Sequence, residues 1–574
     1  MRSILGRTGW ASMATFFSAA VMAAGLSFTA APAQAAFELP EGEKITNLPA
    51  IPRAIPQKEA YELYDPKIGK NFDLKNFWMR ADLRVRPEMR NGVCFGGGAP
   101  LGGACNGGAV GAINNATIAT GAGASNSTAR AGKGANDFYV QQWVRLGLGY
   151  DLSPDVNFYM EIIDAANWGS NGNQVNAGNG GDPLNHNGTS SGNFINGNGG
   201  RLGVRAAYML IRNFAGIQGF SVKAGRQYVI FGNHSLFGHF DWANTGYSHD
   251  GIMLQYSTKS FDSYFGWFRN SESDLSQAAP VGSLTPPVNG SGSIDANRDA
   301  DMFIFYNQIK SVPGFLIEPY YVYYKNNYAS ADNNAQGLGT AKHSNQTRHM
   351  VGNRIEMRKG NFDAINELVW QFGQMGDNNA TSAGCNGSNN KCLHINAWAT
   401  RNWIGYTHYQ SSWKPRFAVN FDYASGDGRA NCVVAAGGAC KTANTFENFF
   451  PTNHIHMGYM DVQAWKNMLS PSANFQARPS KDDHIEIWYT NLNLASARDN
   501  WYRGAQGVYV FSKAGNTSKH IGDEVDISWT RMFMDGKVAF QATYGHLWTG
   551  SYVHDNLGTK QDQSWAYVQL WMNF

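Results

Sequence analysis

A two-residue alternation of apolar and polar side chains, repeated along most of the chain, is the feature that most constrains the fold. Segment 77–90 shows it most clearly, with Phe77, Met79, Ala81, Leu83 and Val85 on one face and Trp78, Arg80, Asp82, Arg84 and Arg86 on the other. Successive side chains of a β-strand point to opposite faces, so the alternation predicts a strand between an apolar medium and water. A soluble sandwich strand shows the same alternation, so the number and spacing of the segments must decide.

Eighteen segments are predicted to be strands: 77–90, 138–150, 156–166, 202–213, 220–230, 249–257, 261–270, 299–310, 315–326, 345–358, 361–374, 393–410, 416–425, 468–478, 484–494, 520–533, 537–549 and 563–574. Connections after even-numbered segments are short, as in Ser153-Pro154-Asp155, whereas those after odd-numbered segments are long and often rich in Gly and Asn. This asymmetry is typical of barrels in the Gram-negative outer membrane. The predicted fold is therefore all-β: a membrane-spanning, antiparallel up-and-down β-barrel of about 18 strands. It has long external loops and short periplasmic turns, and both termini lie in the periplasm.

The N-terminus has the features of a secretory signal peptide. Arg2 and Arg7 supply the charge, residues 13–31 are apolar, and Ala33-Gln34-Ala35 is a small-x-small cleavage site. An uncleaved membrane anchor is the alternative, but cleavage explains the Ala-rich end better. We expect a signal peptide over 1–35, a Pro-rich periplasmic lead-in over 36–74 and the barrel over 75–574. Removing Arg2 and Arg7 from the 46 basic residues leaves 44 against 43 acidic ones, a balance that argues against nucleic acid as a partner.

Six cysteines form three close pairs, namely Cys94 with Cys105, Cys385 with Cys392, and Cys432 with Cys440. Each pair lies in one Gly- and Asn-rich segment. In an exported protein an even number of locally paired cysteines predicts a disulfide within each loop. Metal binding is the alternative, but no pair has the C-x-x-C spacing of a zinc site.

The strand phase places many charged side chains on the inward face. The basic ones are Arg80, Arg84, Arg86, Arg145, Arg205, Lys223, Arg348, Arg354 and Arg358, with Arg90 at the external end. The acidic ones are Asp82, Glu161, Glu318, Glu356, Glu367, Asp422, Glu486, Glu524 and Asp526. Guanidinium groups bind carboxylates through a rigid fork of donors, so an arginine-rich wall favours passage of anions. The alternative is that these charges pair across neighbouring strands and only keep the lumen hydrated.

Three further groups of residues could bind a metal ion or take part in catalysis. Glu524 and Asp526 share one strand face and could act as an acid–base pair, but a role as ion-pair partners in the lumen is favoured. His454 and His456 lie near Asp461 and could bind a metal, and residues 171–200 could bind calcium, but neither set has a ligand pattern of the required spacing. No cofactor, metal or enzymatic activity is therefore predicted.

Several ordered motifs resemble the alginate-export family of outer-membrane proteins. They are Gly225-Arg226-Gln227, Phe231-Gly232-Asn233, Leu236-Phe237-Gly238, Asp241-Trp242, Asp250-Gly251, Asp422-Tyr423-Ala424-Ser425-Gly426-Asp427, Phe449-Phe450-Pro451-Thr452-Asn453-His454, Gly458-Tyr459-Met460-Asp461 and Ile521-Gly522-Asp523-Glu524. The resemblance covers about residues 75–574. It implies an 18-stranded monomeric barrel and passive export of an acidic polysaccharide through an arginine-lined lumen.

Two classes of function remain open. The first is a porin-like channel that passes anionic or polar solutes, with alginate-like polysaccharide as one candidate. The second is a barrel without transport, either an adhesion scaffold with an apolar, plugged lumen or an outer-membrane enzyme. The charged inward faces favour the channel. The expected partners are outer-membrane lipid, lipopolysaccharide, the solute itself and the barrel assembly machinery, because the chain ends on an alternating strand closed by Phe574.

Overall fold

The structure is a computed structural model, and it describes part of the chain. The described residues are 74–92, 137–168, 202–242, 246–271, 300–326, 346–376, 392–428, 442–502, 504, 508–510, 512, 515–558 and 560–573. The predicted signal peptide and all of the predicted lead-in except Leu74 lie outside these residues. So do Cys94, Cys105, Cys385, Cys432 and Cys440, while Cys392 is described only as the first backbone position of a strand. These assignments remain predictions.

Eighteen strands form the wall of the barrel. They are β1 (Phe77–Asn91), β2 (Asp137–Ser153), β3 (Val156–Asn167), β4 (Leu202–Ile211), β5 (Phe220–Gln227), β6 (His249–Ser257), β7 (Phe261–Ser271), β8 (Ala300–Ile309), β9 (Phe315–Asn326), β10 (Gln346–Lys359), β11 (Phe362–Gly376), β12 (Cys392–Thr407), β13 (Arg416–Ala424), β14 (Met468–Ala477), β15 (Asp483–Leu494), β16 (His520–Phe533), β17 (Val538–Thr549) and β18 (Gln563–Asn573). All eighteen predicted strands are confirmed, and their ends differ from the prediction by three residues at most.

The sheet closes on itself. Each strand pairs antiparallel with the next, and β1 also pairs with β18 through Leu83 opposite Met572 and Met89 opposite Ala566. Closure leaves no free edge, which satisfies the backbone hydrogen bonds of the wall without water. The other elements are short. They include strands Thr442–Ala443, Trp501–Tyr502 and Val508–Val510 and helix Ser551–Leu557. Among the described residues, no helix is long and apolar enough to cross a membrane.

The wall alternates between apolar side chains outside and packed side chains inside. On β13 Phe417, Val419 and Phe421 are exposed, whereas the intervening Ala418 and Asn420 are buried. Exposed apolar residues at every second position are what a lipid-facing strand requires. The outer face therefore meets hydrocarbon, and the inner face encloses a lumen.

The two ends of the barrel differ. Eight short turns close one end, called here the short-turn end, and the longer connections leave the other, the long-loop end. The connections after odd-numbered strands are long, as predicted. In the part of the chain that the structure describes, two of them fold back into the lumen. Inner loop A comprises the described residues of 228–248 between β5 and β6, and inner loop B comprises residues 442–467 before β14. Trp501 and Tyr502 of the β15–β16 connection pack against inner loop B.

Candidate functional site

Inner loops A and B occupy the lumen because they are unusually apolar for loops. Their buried side chains pack against one sector of the wall, formed by the inward faces of β6 to β13. Phe231 of loop A stacks on Tyr306 of β8 with ring centroids 4.3 Å apart, and Phe449 of loop B lies edge-on to Tyr324 of β9 at 5.4 Å. Burying one such side chain stabilises the arrangement by about 1.5–3 kcal/mol. This sector is therefore a dry core and not a water-lined wall.

The two inner loops are also joined to each other. The Gly238 amide donates to the Phe450 carbonyl at 2.8 Å, the Phe450 amide to Leu236 at 3.0 Å, and the Thr452 amide to His234 at 3.0 Å. His456 Nε2 lies 2.8 Å from the Asn233 carbonyl. Together they form one partition that crosses the lumen, called here the cross-lumen partition.

Arginines of β1 hold one end of this partition. Arg84 Nη1 donates to the Asp241 carbonyl at 2.7 Å, and Arg86 Nη1 donates to the Trp242 carbonyl at 2.8 Å. The Arg84 guanidinium also lies over the Trp143 ring, 4.0 Å from its centroid. Arg86 forms an ion pair with Glu88 at 2.6 Å. These contacts tie the tip of loop A to the strand that the sequence analysis singled out.

The carboxylate of Asp241 lies between two further predicted arginines. It accepts from Arg145 Nη1 at 2.9 Å and from Arg205 Nη2 at 3.0 Å, and His239 Nε2 lies 3.6 Å away. Burial acts to raise the pKa of Asp241, but the positive charges of Arg145, His239 and Arg205 outweigh it and hold the pKa well below its usual value. Asp241 is therefore an ionised carboxylate inside an arginine cage.

Trp242 connects the two inner loops at the same place. One face of its ring meets the Arg86 guanidinium at 3.5 Å, and its ring stacks on that of His454 of loop B at 3.7 Å with an interplanar angle of 3°. His454 Nδ1 lies 2.9 Å from Asp461 Oδ2. Burial lowers the pKa of His454, partly offset by Asp461. A neutral imidazole stacked on Trp242 follows from this environment.

An acidic sector on β15 and β16 holds the other end of the partition. Glu524 accepts from the Met460 amide at 3.0 Å and Asp526 from the Tyr459 amide at 3.0 Å. Gly458 makes this approach possible, because its φ is +87° and a Cβ there would overlap the Glu524 carboxylate. The predicted pair Glu524 and Asp526 thus binds loop amides instead of cations. These contacts explain the position of both carboxylates without an acid–base role.

A third sector, on β8 to β13, contains balanced ion pairs. Arg354 bridges Glu318 and Glu356, and Arg358 binds the same Glu356. Arg401 Nε lies 3.1 Å from Asp422 on the neighbouring strand β13. Arg416 of β13 reaches across β12, and its Nη2 lies 2.6 Å from Asp363 of β11. Arg348 donates to Gln371 at 2.7 Å and to Gln346 at 3.1 Å. Here the charges pair across strands, which is the alternative that the sequence analysis kept open.

The cationic sector on β1 to β4 differs from the other two. Its arginines are Arg80, Arg84, Arg86, Arg90, Arg145 and Arg205, and the described acids near them, loop A included, are Asp82, Glu88, Glu161 and Asp241. Six guanidinium groups against four carboxylates leave a surplus of two positive charges among these residues. A fifth acid, Asp151 of β2, is buried at the short-turn end, where the charge of Arg212 offsets it. Arg80 and Arg90 keep about 15% of their side-chain surface exposed, more than Arg86 or Arg145. Positive potential is therefore concentrated on one side of the lumen.

Among the residues predicted to line the lumen, Arg80, Arg84, Arg86, Arg145 and Arg205 lie on the inner face of the cationic sector, and Arg348, Arg354, Arg358, Glu356 and Asp422 lie on that of the third sector. The sequence analysis missed Glu88, Asp241, Trp242, Arg401 and Arg416. The sequence did contain a signal for the inner loops. The two connections that form them are rich in aromatic residues, and loops in water are rarely so apolar. His454 and His456 take different partners, and within the described residues no group of three or more His, Cys, Asp or Glu is arranged to hold a metal ion.

Comparison with family models adds the decisive observation, because the model for alginate export matches residues 125–567. The chain belongs to the alginate-export family. Membership in this family, together with the closed barrel, makes it an outer-membrane channel protein, and neither the family nor the fold is that of an enzyme. The comparison with curated proteins gave no match.

The solved structures that resemble this chain include three proteins of Pseudomonas aeruginosa. OccK11 (OpdR) has 9% sequence identity and a TM-score of 0.45, covering 89% of this alginate-export family chain and 98% of its own. OccD3 (OpdP) has 11% identity and a TM-score of 0.45, covering 86% and 91%. OpdK, solved with vanillate, has 9% identity and a TM-score of 0.45, covering 86% and 98%. Similarity at this level concerns the fold alone.

Proposed function

We propose that this protein passes anionic solutes, acidic polysaccharides such as alginate among them, by passive diffusion along the cationic sector of its lumen. The supporting observation is the surplus of two guanidinium groups on β1 to β4, opposite a sector in which charges are balanced. The acids of β15 and β16 face the amides of loop B, which reduces their effect on a passing anion. Along this side of the lumen the field therefore favours negative charge.

The arginine cage around Asp241 explains how such a solute would be recognised. Arg145 and Arg205 already bind one carboxylate in charge-assisted hydrogen bonds of 2.9 and 3.0 Å. A uronate presents the same chemical group on each sugar. Arg145 and Arg205 are themselves buried, so an acidic chain that reaches this sector would meet the partly exposed guanidinium groups of Arg80 and Arg90.

The test is the reversal potential of single channels in a planar bilayer under a salt gradient. Wild type is expected to prefer anions, and the variant Arg80→Gln/Arg84→Gln/Arg86→Gln is expected to shift toward cations. Because Arg84 and Arg86 also hold loop A, the triple variant should conduct more current as well. Arg531→Gln removes one guanidinium group from the outer face of β16 and should leave selectivity unchanged. A cation-selective wild type would overturn the proposal.

Block by solutes separates polysaccharide passage from general anion conduction. Uronate oligomers added to one side are expected to interrupt the current in wild type and to do so less in the triple variant. Neutral glucose oligomers of the same length serve as the control. Equal block by both kinds of oligomer would mean that size, and not charge, selects the solute.

A scaffold without transport is the second candidate, because apolar side chains fill the sector on β6 to β13. It predicts no unit conductance from correctly folded barrels. Heat-modifiable migration on gels would establish folding in the same sample. A folded barrel that never conducts, with or without acidic oligomers, would support this candidate over the channel.

A further inference from the structure

One patch of the outer face combines charge with aromatic side chains at the long-loop end. Arg269 Nε lies 2.8 Å from Asp301 Oδ1, and the Trp267 indole donates to the same oxygen at 3.1 Å. Lys325 stands directly opposite Asp301 across the β8–β9 pair and is exposed. These four residues, called here the rim patch, face away from the lumen, since the alternate residues Phe268, Met302 and Tyr324 are buried inside.

The height of the rim patch follows from strand geometry. Asp301 lies eight residues above the short-turn end of β8 at Ile309, and Lys325 ten above that of β9 at Phe315. With a rise of about 3.3 Å per residue and a tilt of about 40°, these positions lie roughly 20–25 Å above that end. The apolar band of such barrels is about 25 Å tall. The rim patch therefore lies where the hydrocarbon ends and the lipid headgroups begin.

The same chemistry occurs once more, at the opposite boundary. On β15 and β16 the Trp529 indole donates to Asp483 at 3.0 Å, and Arg531 Nη1 lies 3.3 Å from the same carboxylate. The indole, carboxylate and guanidinium match those of the rim patch.

The rim patch differs in its neighbours. Lys325 on the adjoining strand is a second cation beside Asp301. On the other side, Asp250 stands opposite Arg269 and pairs with Arg226. This row across β5 to β9 holds three cations and two acids. A Trp–Asp–Arg group alone anchors a strand at the interface, whereas the added cation gives the rim patch a positive surplus.

We propose that the rim patch binds the phosphorylated headgroup of lipopolysaccharide in the outer leaflet. Asp301 and Trp267 orient the Arg269 guanidinium, and Lys325 adds a second donor about one strand spacing beyond Asp301. The indole lies in the boundary layer below the phosphate. Membrane-facing cations at this depth are attracted to anionic headgroups, whereas the hydrocarbon below would exclude them. The long-loop end is taken as the external face, as the sequence analysis predicts, and the inference does not depend on what the channel conducts.

The experiment compares Arg269→Gln/Lys325→Gln with Arg531→Gln/Lys481→Gln, which removes the same number of cations at the short-turn end. Each barrel is purified from outer membranes, delipidated and titrated with lipopolysaccharide by native mass spectrometry. Losing each cation of the rim patch should weaken binding about fivefold, which corresponds to about 1 kcal/mol per cation. The rim-patch variant should therefore bind about 25-fold more weakly than wild type, while the control variant should stay within about twofold.

Lipopolysaccharide stripped of its phosphates is the second probe. Wild type should bind it about as weakly as the rim-patch variant binds the intact glycolipid. Equal binding of both glycolipids by wild type, or equal loss in the two variants, would overturn the proposal. Loss confined to the Arg531 and Lys481 variant would also overturn it, because it would place the short-turn end outside. Channel conductance, measured on the same samples, should be unchanged in both variants.

Discussion

Neutralising Asp241 is the sharpest test of how the lumen selects its solute. Asp241→Asn keeps the size of the side chain and one carbonyl acceptor, and Arg84 and Arg86 bind main-chain carbonyls that the substitution leaves in place. The partition should therefore stay attached. The net charge of the cationic sector changes, however, because the loss of one carboxylate raises its surplus of positive charge from two to three. The substitution thus separates the effect of charge from the effect of shape.

The size of the effect can be worked out from Coulomb's law. A unit charge about 8 Å from a passing anion contributes about 0.5 kcal/mol at the permittivity of water and about 2 kcal/mol at an effective value of 20. These energies correspond to roughly twofold and thirtyfold changes in the partition of an anion into the sector. The variant should therefore prefer anions more strongly than wild type, and uronate oligomers should block it at lower concentration.

The assay is the reversal potential in a salt gradient, with unit conductance measured in the same bilayers. Asp535→Asn is the matched control, because Asp535 is exposed in a short turn at φ +55°, a conformation that asparagine adopts readily. Conductance should stay close to that of wild type in both variants. An unchanged reversal potential in Asp241→Asn, or a shift toward cations, would refute the idea that this sector sets selectivity.

Four further predictions concern the partition, the charge of Asp241 at different pH values, the disulfides and the N-terminus. Gly458→Ala should detach loop B, because a Cβ overlaps the Glu524 carboxylate at a positive φ, and single-channel recordings should show a larger and noisier conductance. The difference in reversal potential between wild type and Asp241→Asn should be constant between about pH 8 and pH 5: the pKa of Asp241 lies below its usual value, so its charge is fully present above the ordinary carboxyl range and is lost only at more acidic pH. Peptide mapping without reduction should find the disulfides Cys94–Cys105, Cys385–Cys392 and Cys432–Cys440, each of which should stabilise its loop by about 2–3 kcal/mol; free thiols or links between loops would contradict this pairing. The same mapping should find Ala36 as the first residue, and a mature chain that retains residue 1 would contradict the predicted cleavage.

Strand positions could be predicted from the sequence because the cause is local. A strand between lipid and lumen must alternate its side chains, and a charge at mid-membrane on the lipid side costs about 2–4 kcal/mol. Met79, Leu83 and Val85 therefore had to face outward, and Arg80, Arg84 and Arg86 inward, whatever the rest of the chain did. The same reasoning recovered the alternation of short and long connections, and with it the strand count.

Which partners those inward side chains bind depended on the tertiary structure. Arg84 meets the Asp241 carbonyl across 157 positions of sequence, and Trp565 meets Glu88 across 477. No periodicity specifies such contacts, because they arise only once the barrel has closed and the inner loops have found apolar surface to bury. By itself the sequence determined which residues face the lumen. Only the closed barrel decided that one arginine wall carries a surplus, that another is neutralised by its neighbours, and that two loops lie between them, since each outcome depends on which distant strands become adjacent.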